Sequence, residues 1–427
     1  MNAAIIFFLL LVLMLTGMPI SISLGLTVLT FLFGFTQVPL ESVALKLFTG
    51  IEKFEIMAIP FFILAGNFLT HGGVARRMIN FAASMVGHWY GGLGLGGVLA
   101  CALFAAVSGS SPATVVAIGS ILLPAMVKAG FPKSFGAGVI TTSGALGILI
   151  PPSIVMVMYS VATNTSVGAL FMAGVVPGLA LAGVLAGVTW YRAKKDDYPR
   201  LPKASWLERL KAFKESAWGL LLIVIVMGGI YTGLFTPTEA AAMSAVYAFF
   251  VAVFVYKDMG LKDVPRVLLN SANMSAMLLY IITNAVLFSF IMTNENIPQS
   301  LADWMLGNGL GPIAFLLAVN VILLLAGNFM EPSSIVLIFA PILFPVAVKL
   351  GIDPVHFGII MVVNMEVGMC HPPVGLNLYV ASGITKMGIT ELTVAVWPWL
   401  LAMVGFLMVV TYWPGLSLWF PRWLGMM

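Results

Sequence analysis

The sequence predicts an all-α polytopic membrane protein of about ten to twelve transmembrane helices, built as two related halves. Three observations predict it. First, 61% of the chain is hydrophobic and only 8% is charged, where a soluble domain carries roughly 25% charged residues. Such a surface aggregates in water; in a bilayer it is stable, provided that every backbone group is paired internally in helices or a closed barrel. Second, the apolar runs are long and do not alternate, which is the helical pattern and not the barrel pattern. Third, the chain repeats. PAMVKAGFPKSFG at 124–136 is matched by PVAVKLGIDPVHFG at 345–358. Lys128 with Lys349, Gly130 with Gly351, Gly147 with Gly368, Pro151-Pro152 with Pro372-Pro373 and Pro177 with Pro398 all stand at one constant offset. One inserted residue near Asp353 is absorbed before Gly368.

The first apolar run, MNAAIIFFLLLVLMLTGMPI, lacks a basic leader and reads as a retained span rather than a cleaved signal peptide. GLGLGG at 92–97 has the spacing of a dinucleotide fingerprint. No strand precedes it and no acid follows about 20 residues later, so close packing of membrane helices explains it better. SGSSPAT at 108–114 and GILIPPS at 147–153 then break the apolar pattern. Pro removes an N–H and forces an interruption, Gly admits close backbone approach, and Ser and Thr add hydroxyls without charge. A helix interrupted in a membrane exposes partly positive N–H groups, suited to carboxylates, and carbonyls, suited to a dehydrated cation. For an isolated Ser, tight helix packing is the ordinary explanation. A Ser-rich break that recurs in both halves favours a polar site.

Eight of the 20 Lys and Arg crowd into 192–214, and Lys257, Lys262 and Arg266 form a smaller basic loop. Both loops are expected on the cytoplasmic side. The stretch 217–256 between them fits two crossings, joined by a capping box at Thr236-Pro237-Thr238-Glu239 that faces the opposite side. Glu239 is then a helix cap rather than a functional acid.

In the second half, GNFMEPSS at 327–334 and GMCHPPVG at 368–375 repeat the two breaks. Glu331 and Glu366 are acids in apolar sequence, functional suspects in a membrane; an interhelical polar contact is the plainer alternative. Histidine is the residue type suited to proton transfer near neutrality, so at His371 proton linkage and a neutral buried ring are both open. Cys101 and Cys370 cannot build a disulfide framework and are expected as reduced, buried thiols. Cys370-His371 lacks zinc spacing and further ligands. The absence of a nucleotide phosphate-binding loop argues against direct ATP-driven pumping by this chain alone. An intramembrane enzyme would need a paired nucleophile and base or a metal cluster; the four histidines, at 71, 88, 356 and 371, form no such motif.

ALFAAVSGSSPATVVAIGS, TTSGALGILIPPSIVMVMY, PILFPVAVKLGIDPVHFGIIMVVN and HPPVGLNLYVASGI carry a resemblance that covers essentially the whole chain. The sequence resembles the large membrane subunit of tripartite ATP-independent periplasmic (TRAP) transporters. GIEKFEIMAIPFFILAGNFLTHGGVA at 50–75 looks like the C4-dicarboxylate branch, the DctM type. The resemblance implies a multi-pass bacterial inner-membrane importer of succinate, malate or fumarate, coupled to Na+ at two or more sites, and not an enzyme. It implies two re-entrant hairpins in an inverted repeat, carried by a transport domain that moves against a scaffold as an elevator. It implies as partners a small four-helix membrane subunit (a separate chain here), a periplasmic substrate-binding protein and the lipid membrane, and no nucleic acid. On this plan residues 1–90 are N-terminal scaffold and arm helices, and 91–191 are the first half of the transport domain with the first hairpin. Residues 192–215 are the basic cytoplasmic loop, 216–310 scaffold and arm helices, 311–390 the second half of the transport domain with the second hairpin, and 391–427 a C-terminal helix.

The family's first sodium site maps onto Ser108, Ser111, Gly147, Ile150 and Pro152, the last three chiefly through backbone oxygen. The second maps onto Gly327, Gly368, His371 and Val374. Other branches carry Thr where this chain has His371, so a hydroxyl ligand is missing there and a backbone carbonyl remains. The substrate is expected between the two tips, with Ser110, Thr114, Thr142, Ser333, Ser334 and Asn364 as contributors. No Arg or Lys falls within the tips, so carboxylate recognition is expected to rest on N–H groups, hydroxyls and bound sodium. Two readings compete: a TRAP permease for another organic acid such as sialic acid, and a one-component proton- or sodium-coupled carrier of the same superfamily.

Overall fold

Many of the helices begin at Pro, while Pro124, Pro177, Pro341, Pro345, Pro398 and Pro421 lie inside helices. The computed structural model describes residues 2–36, 38–328, 330–373 and 375–426, and among them there is helix and no strand. The first half comprises α1 (Asn2–Leu15), α2 (Ile20–Phe35), α3 (Leu40–Thr49), α4 (Ala58–His71), α5 (Val74–Val86), α6 (Gly92–Ser108), α7 (Ser111–Lys128), α8 (Lys133–Gly144), α9 (Ile154–Thr163) and α10 (Val167–Lys195). The second comprises α11 (Trp206–Tyr231), α12 (Pro237–Phe250), α13 (Val264–Asn294), α14 (Ile297–Gly307), α15 (Pro312–Gly327), α16 (Pro332–Lys349), α17 (Pro354–Cys370), α18 (Leu376–Thr385), α19 (Ile389–Tyr412) and α20 (Gly415–Trp423). Pro opens α7, α12 and α14–α17 in the first turn, where its missing N–H had no partner to lose. The capping box forms as the sequence indicates: Glu239 N–H donates to Thr236 Oγ1 (3.3 Å) and Thr236 N–H to Glu239 Oε2 (2.8 Å).

Among the described residues, eight helical stretches are long and apolar enough to cross a membrane, accompanied by shorter apolar helices. Leu15, Phe33, Val224 and Val394 are among the large apolar side chains left exposed on the outside of the bundle, as lipid contact allows.

The repeat survives in three dimensions. The offset that relates Lys128 to Lys349 also carries both ends of α7 onto those of α16, and the start of α8 onto the start of α17. The Pro151-Pro152 and Pro372-Pro373 bonds, related by the same offset, are both cis. α3 and α4 together correspond to the unbroken α13. Where the sequence suggests one helix over 391–427, the structure has two, α19 and α20. Trp413 is non-helical ahead of Pro414, whose ring disfavours a helical conformation in the preceding residue.

The halves are interlaced. α2 of the first packs on α13 of the second, and α12 returns the contact on α4. Gly25 lies against the Asn284 amide, Gly72 against Ala252, and the Phe68 and Phe249 rings meet edge to face at 5.4 Å.

Two sets of contacts define opposite ends. At one, Leu201 N–H donates to Gly87 O (3.0 Å), Arg200 stacks 3.3 Å over Tyr90, and Asp258 pairs with Arg76 and Arg77. Both basic loops and the feet of the α6–α7 hairpin therefore share that end. At the other, Thr238 Oγ1 donates to Phe54 O (3.1 Å), Lys53 bonds Asn164 (2.7 Å), and Arg422 lies 3.9 Å from Asp353. The feet of the α15–α16 hairpin belong there, since Tyr412 Oη donates to Ile313 O (3.3 Å) and Lys349 reaches Asp303 at 2.5 Å. The two hairpins thus enter from opposite ends, and their tips meet inside.

Candidate functional site

Between the tips lies a cavity of about 340 Å³, lined by Ser110, Ser111, Pro112 and Ala113 of the first tip and Glu331, Pro332 and Ser333 of the second. Ile148, Ile154 and Met369 border it from the two helix breaks, Asn67 and Thr70 from α4, and Met274, Met277 and Leu278 from α13. α7 and α16 both begin at this cavity. The first N–H groups of a helix have no intrahelical partner and carry the positive end of the macrodipole, so two such ends face one space. Among the described residues that line it none is Lys or Arg.

The first tip folds on its own hydroxyls. Gly109 turns the chain with φ +61°, Ser108 Oγ and Thr114 Oγ1 are 2.9 Å apart, and Thr114 Oγ1 donates to Ser110 O at 2.8 Å. The first break lies against it. A Cβ on Gly147 would sit 2.6 Å from Ser110 O, and one on Gly109 2.9 Å from Pro152 O. Ser111 Oγ donates to Gly144 O at 3.0 Å. Ser108 and Ser111 hydroxyls and the Ser110 and Pro152 carbonyls thus gather where tip meets break. These are hard oxygen donors of the kind alkali cations take, so the set fits sodium. Ile150 is buried, its side chain against Gly178.

The second tip departs from this pattern. Gly327 and Gly368 touch backbone to backbone, with would-be Cβ atoms 2.9 and 3.1 Å from the opposite Cα. The His371 ring is occupied by Asn328, Nδ1 to Oδ1 at 3.0 Å, while its carbonyl accepts from Gly375 N–H at 3.2 Å. The oxygens offered here are the Gly368 and His371 carbonyls, each also accepting a backbone N–H at 3.2 Å, and the Asn328 amide. Val374 lies outside the described residues. Ser334 Oγ donates to Glu331 Oε1 at 3.3 Å.

The remaining sequence-derived residues scatter. Ser110 and Ser333 line the cavity. Thr114 is buried just behind it. Thr142 is fully buried with its hydroxyl turned back onto Gly138 O (2.8 Å). Asn364 is also fully buried; its Nδ2 donates to Asn320 O (3.1 Å) and Oδ1 (3.0 Å), and Asn320 in turn donates to Thr411 Oγ1 (2.9 Å). Asn364 therefore ties α17 to α15 and α19. Cys101 and Cys370 are free and buried, as expected.

Sequence reasoning missed Asn377. Its Nδ2 donates to Ser111 Oγ at 2.7 Å and lies 3.4 Å from Thr141 O, joining α18 to the first tip. It also passed over Asn67, Thr70, Met274 and Met277. Glu366 is fully buried with neither oxygen hydrogen-bonded, a condition that leaves a carboxylate open to a cation or proton. Among the described residues no three His, Cys, Asp or Glu side chains converge on a metal position.

With this geometry in view, similarity to known proteins is extensive. A family profile described as "Tripartite ATP-independent periplasmic transporter, DctM component" matches residues 7–416. The chain is 77% identical, over all of both chains, to the C4-dicarboxylate TRAP transporter large permease protein of Rhodobacter capsulatus. It is 56% identical to the Pseudomonas aeruginosa protein of the same description, with 95% of each covered. A sialic acid TRAP transporter large permease of Vibrio cholerae is 38% identical over 96% of each. The crystal structure of the Alcanivorax borkumensis YdaH transporter superposes with a TM-score of 0.63, covering 88% of this chain and 89% of that one at 16% identity. At that identity the likeness is one of fold.

Proposed function

The chain belongs to the DctM component family of tripartite ATP-independent periplasmic transporters, and from that premise we propose that it is the permease of a sodium-coupled importer of C4-dicarboxylates. As a member with many apolar helices it is a multi-pass inner-membrane protein. The single observation that carries the substrate class is the 77% identity, over the full length of both chains, to a C4-dicarboxylate large permease. The tip cavity is consistent with it: two helix N-termini and the Ser110 and Ser333 hydroxyls offer donors to two carboxylates, in a space of about 340 Å³ with no fixed cation. A dianion held without Lys or Arg is released more readily, which a carrier requires.

Sodium at the oxygen sets of the two tips would supply the missing positive charge and offset Glu331, the acid that faces the same cavity. Binding of cation and dicarboxylate is then mutually reinforcing, which is the physical basis of symport. The basic end, with residues 192–214 and 257–266, lies in the cytoplasm by the excess of Lys and Arg, so the α15–α16 hairpin opens from the outer side. Hairpins entering from opposite sides make the repeat inverted and support alternating exposure of one site by motion of the tips and breaks against α2, α4, α12 and α13. A small membrane subunit and a periplasmic binding protein complete the assembly.

The test is uptake of labelled succinate into proteoliposomes holding the permease, its small subunit and the binding protein under an inward sodium gradient. Uptake should need all three components and sodium, and be competed by malate and fumarate. Uptake by the permease alone would overturn the three-component reading, and equal competition by sialic acid would overturn the substrate class.

A further inference from the structure

Near the outer end, beside the turn that leads into α4, a second polar cavity of about 270 Å³ is lined by Lys46, Thr49, Lys53, Asn164 and Ser289 and bounded by Pro341 of α16. We infer that this cavity is a second dicarboxylate site, which holds the dianion between Lys46 and Lys53 on its way to the tips. The inference rests on the proposed dicarboxylate function and deepens it.

Charge is the first argument. Among the described residues no acid lines this cavity. Among the described residues neither ammonium has a carboxylate within ion-pair distance. Lys46 is exposed, 5.6 Å from the centre of the Phe290 ring. Lys53 is partly buried and donates to two neutral acceptors, Val161 O at 2.6 Å and Asn164 Oδ1 at 2.7 Å. Burial pushes its pKa down, with Glu55, which lines the adjoining cavity, acting in the opposite direction. A partly desolvated cation with neutral partners gains from an arriving anion. The tip cavity offers the reverse, with Glu331 and no Lys or Arg. Two charges at the mouth concentrate a dianion; none at the tips lets it go.

Position is the second argument. Lys46 lies on α3, Lys53 precedes α4, and Ser289 lies on α13; Asn164 ends α9 and Pro341 lies within α16. The cavity therefore straddles the junction between α3 and α13 and the hairpin-bearing part of the molecule. The Lys53 bonds to Val161 and Asn164 cross that junction. The ammonium uses two of its three N–H groups on those acceptors, so the third is open to a carboxylate, and an occupant sits at a tie between the two parts. The concave shape and small volume suit a free diacid rather than a drug-sized ligand, for which roughly 300–1,000 Å³ is usual.

The experiment uses succinate as probe, the complete three-component transporter in proteoliposomes, and the variants Lys46→Gln, Lys53→Gln, the pair together, and Lys53→Arg. Uptake is measured on that complete transporter; thermal shift by succinate is measured on the permease with its small subunit alone, without the binding protein, which itself takes succinate, in sodium-free choline buffer and again with sodium. The wild type should show a sodium-independent shift that the double variant loses, while its sodium-dependent shift persists and certifies that it is folded. The KM for uptake should rise at least about fivefold in the double variant, and Lys53→Arg should stay near wild type. If the wild type shows no sodium-dependent uptake, the dicarboxylate function itself fails. If it transports normally but the sodium-free shift is absent, or survives in the double variant, the second site is wrong. Two further outcomes overturn it: weaker docking of the empty binding protein with the succinate shift intact, which assigns the lysines to a protein contact, or an effect confined to liposomes with anionic lipid, which assigns them to a headgroup.

Discussion

Gly327 and Gly368 meet backbone to backbone, one from the second tip and one from the second break, and a Cβ on Gly368 would lie 3.1 Å from Gly327 Cα. The contact holds the carbonyls of the break against the start of the tip. It admits no side chain without displacement, and overpacking of this kind costs about 1–3 kcal/mol. Gly368→Ala should cut sodium-driven uptake at least about tenfold and raise the sodium concentration for half-maximal uptake. Uptake at stepped sodium concentrations measures it, and an unchanged sodium curve would sink the assignment of this contact to cation binding.

Asn377 should matter as much as any serine of the first tip. Its bond to Ser111 Oγ at 2.7 Å couples α18, from the second half, to the tip of the first. Ser111 Oγ keeps its bond to Gly144 O, so the loss is that of one buried hydrogen bond, about 0.5–1.5 kcal/mol. Asn377→Leu should therefore raise half-saturating sodium roughly tenfold, which corresponds to about 1.4 kcal/mol. The same uptake titration reads the effect, and Asn377→Leu with wild-type sodium dependence would show that Ser111 needs no such support.

Asn364 and the cavity serines should separate cleanly. Asn364 Nδ2 is held by Asn320 while its buried Oδ1 has no partner; Asn364→Ala should lower thermal stability by about 1–3 kcal/mol and leave the KM for succinate as it is. Ser110→Ala and Ser333→Ala should do the opposite, raising the KM severalfold with no change in melting. A KM effect of Asn364→Ala without destabilisation would return that residue to the substrate site.

Thr236→Ala removes one side of the capping box at the outer turn before α12. The expected loss is about 1 kcal/mol of stability, with succinate uptake unchanged once expression is matched. Melting curves in detergent, with and without the substitution, decide it.

The tips and breaks were legible in the sequence because their chemistry is local. Gly109, Pro112, Pro152 and Pro373 stand in clusters with Ser and further Gly or Pro, and the constant offset between the halves pairs the interruptions. The capping box at Thr236 was legible for the same reason. Side-chain direction on an unbroken helix is a different kind of information. Asn364 and Asn377 are both amides in apolar surroundings, but only packing determines that the first turns to α15 and the second to the Ser111 hydroxyl. Asn67 and Met274 reach the tip cavity because α4 and α13 cross beside it, a consequence of interlaced halves that no local pattern records. Thr142 shows the converse: its helix points it back at Gly138 O.

The exchange of helices between halves also bears on how the chain is made. α4 ends at His71 and its partner α12 begins at Pro237, so α4 leaves the ribosome well before the surface that covers it. At ordinary synthesis rates that delay is on the order of ten seconds. During it, the faces later filled by α12 and α13 have only lipid, or the insertion machinery, to meet. The two halves are thus bound to a single translation event, and the first must wait in the membrane, half-assembled, for the second.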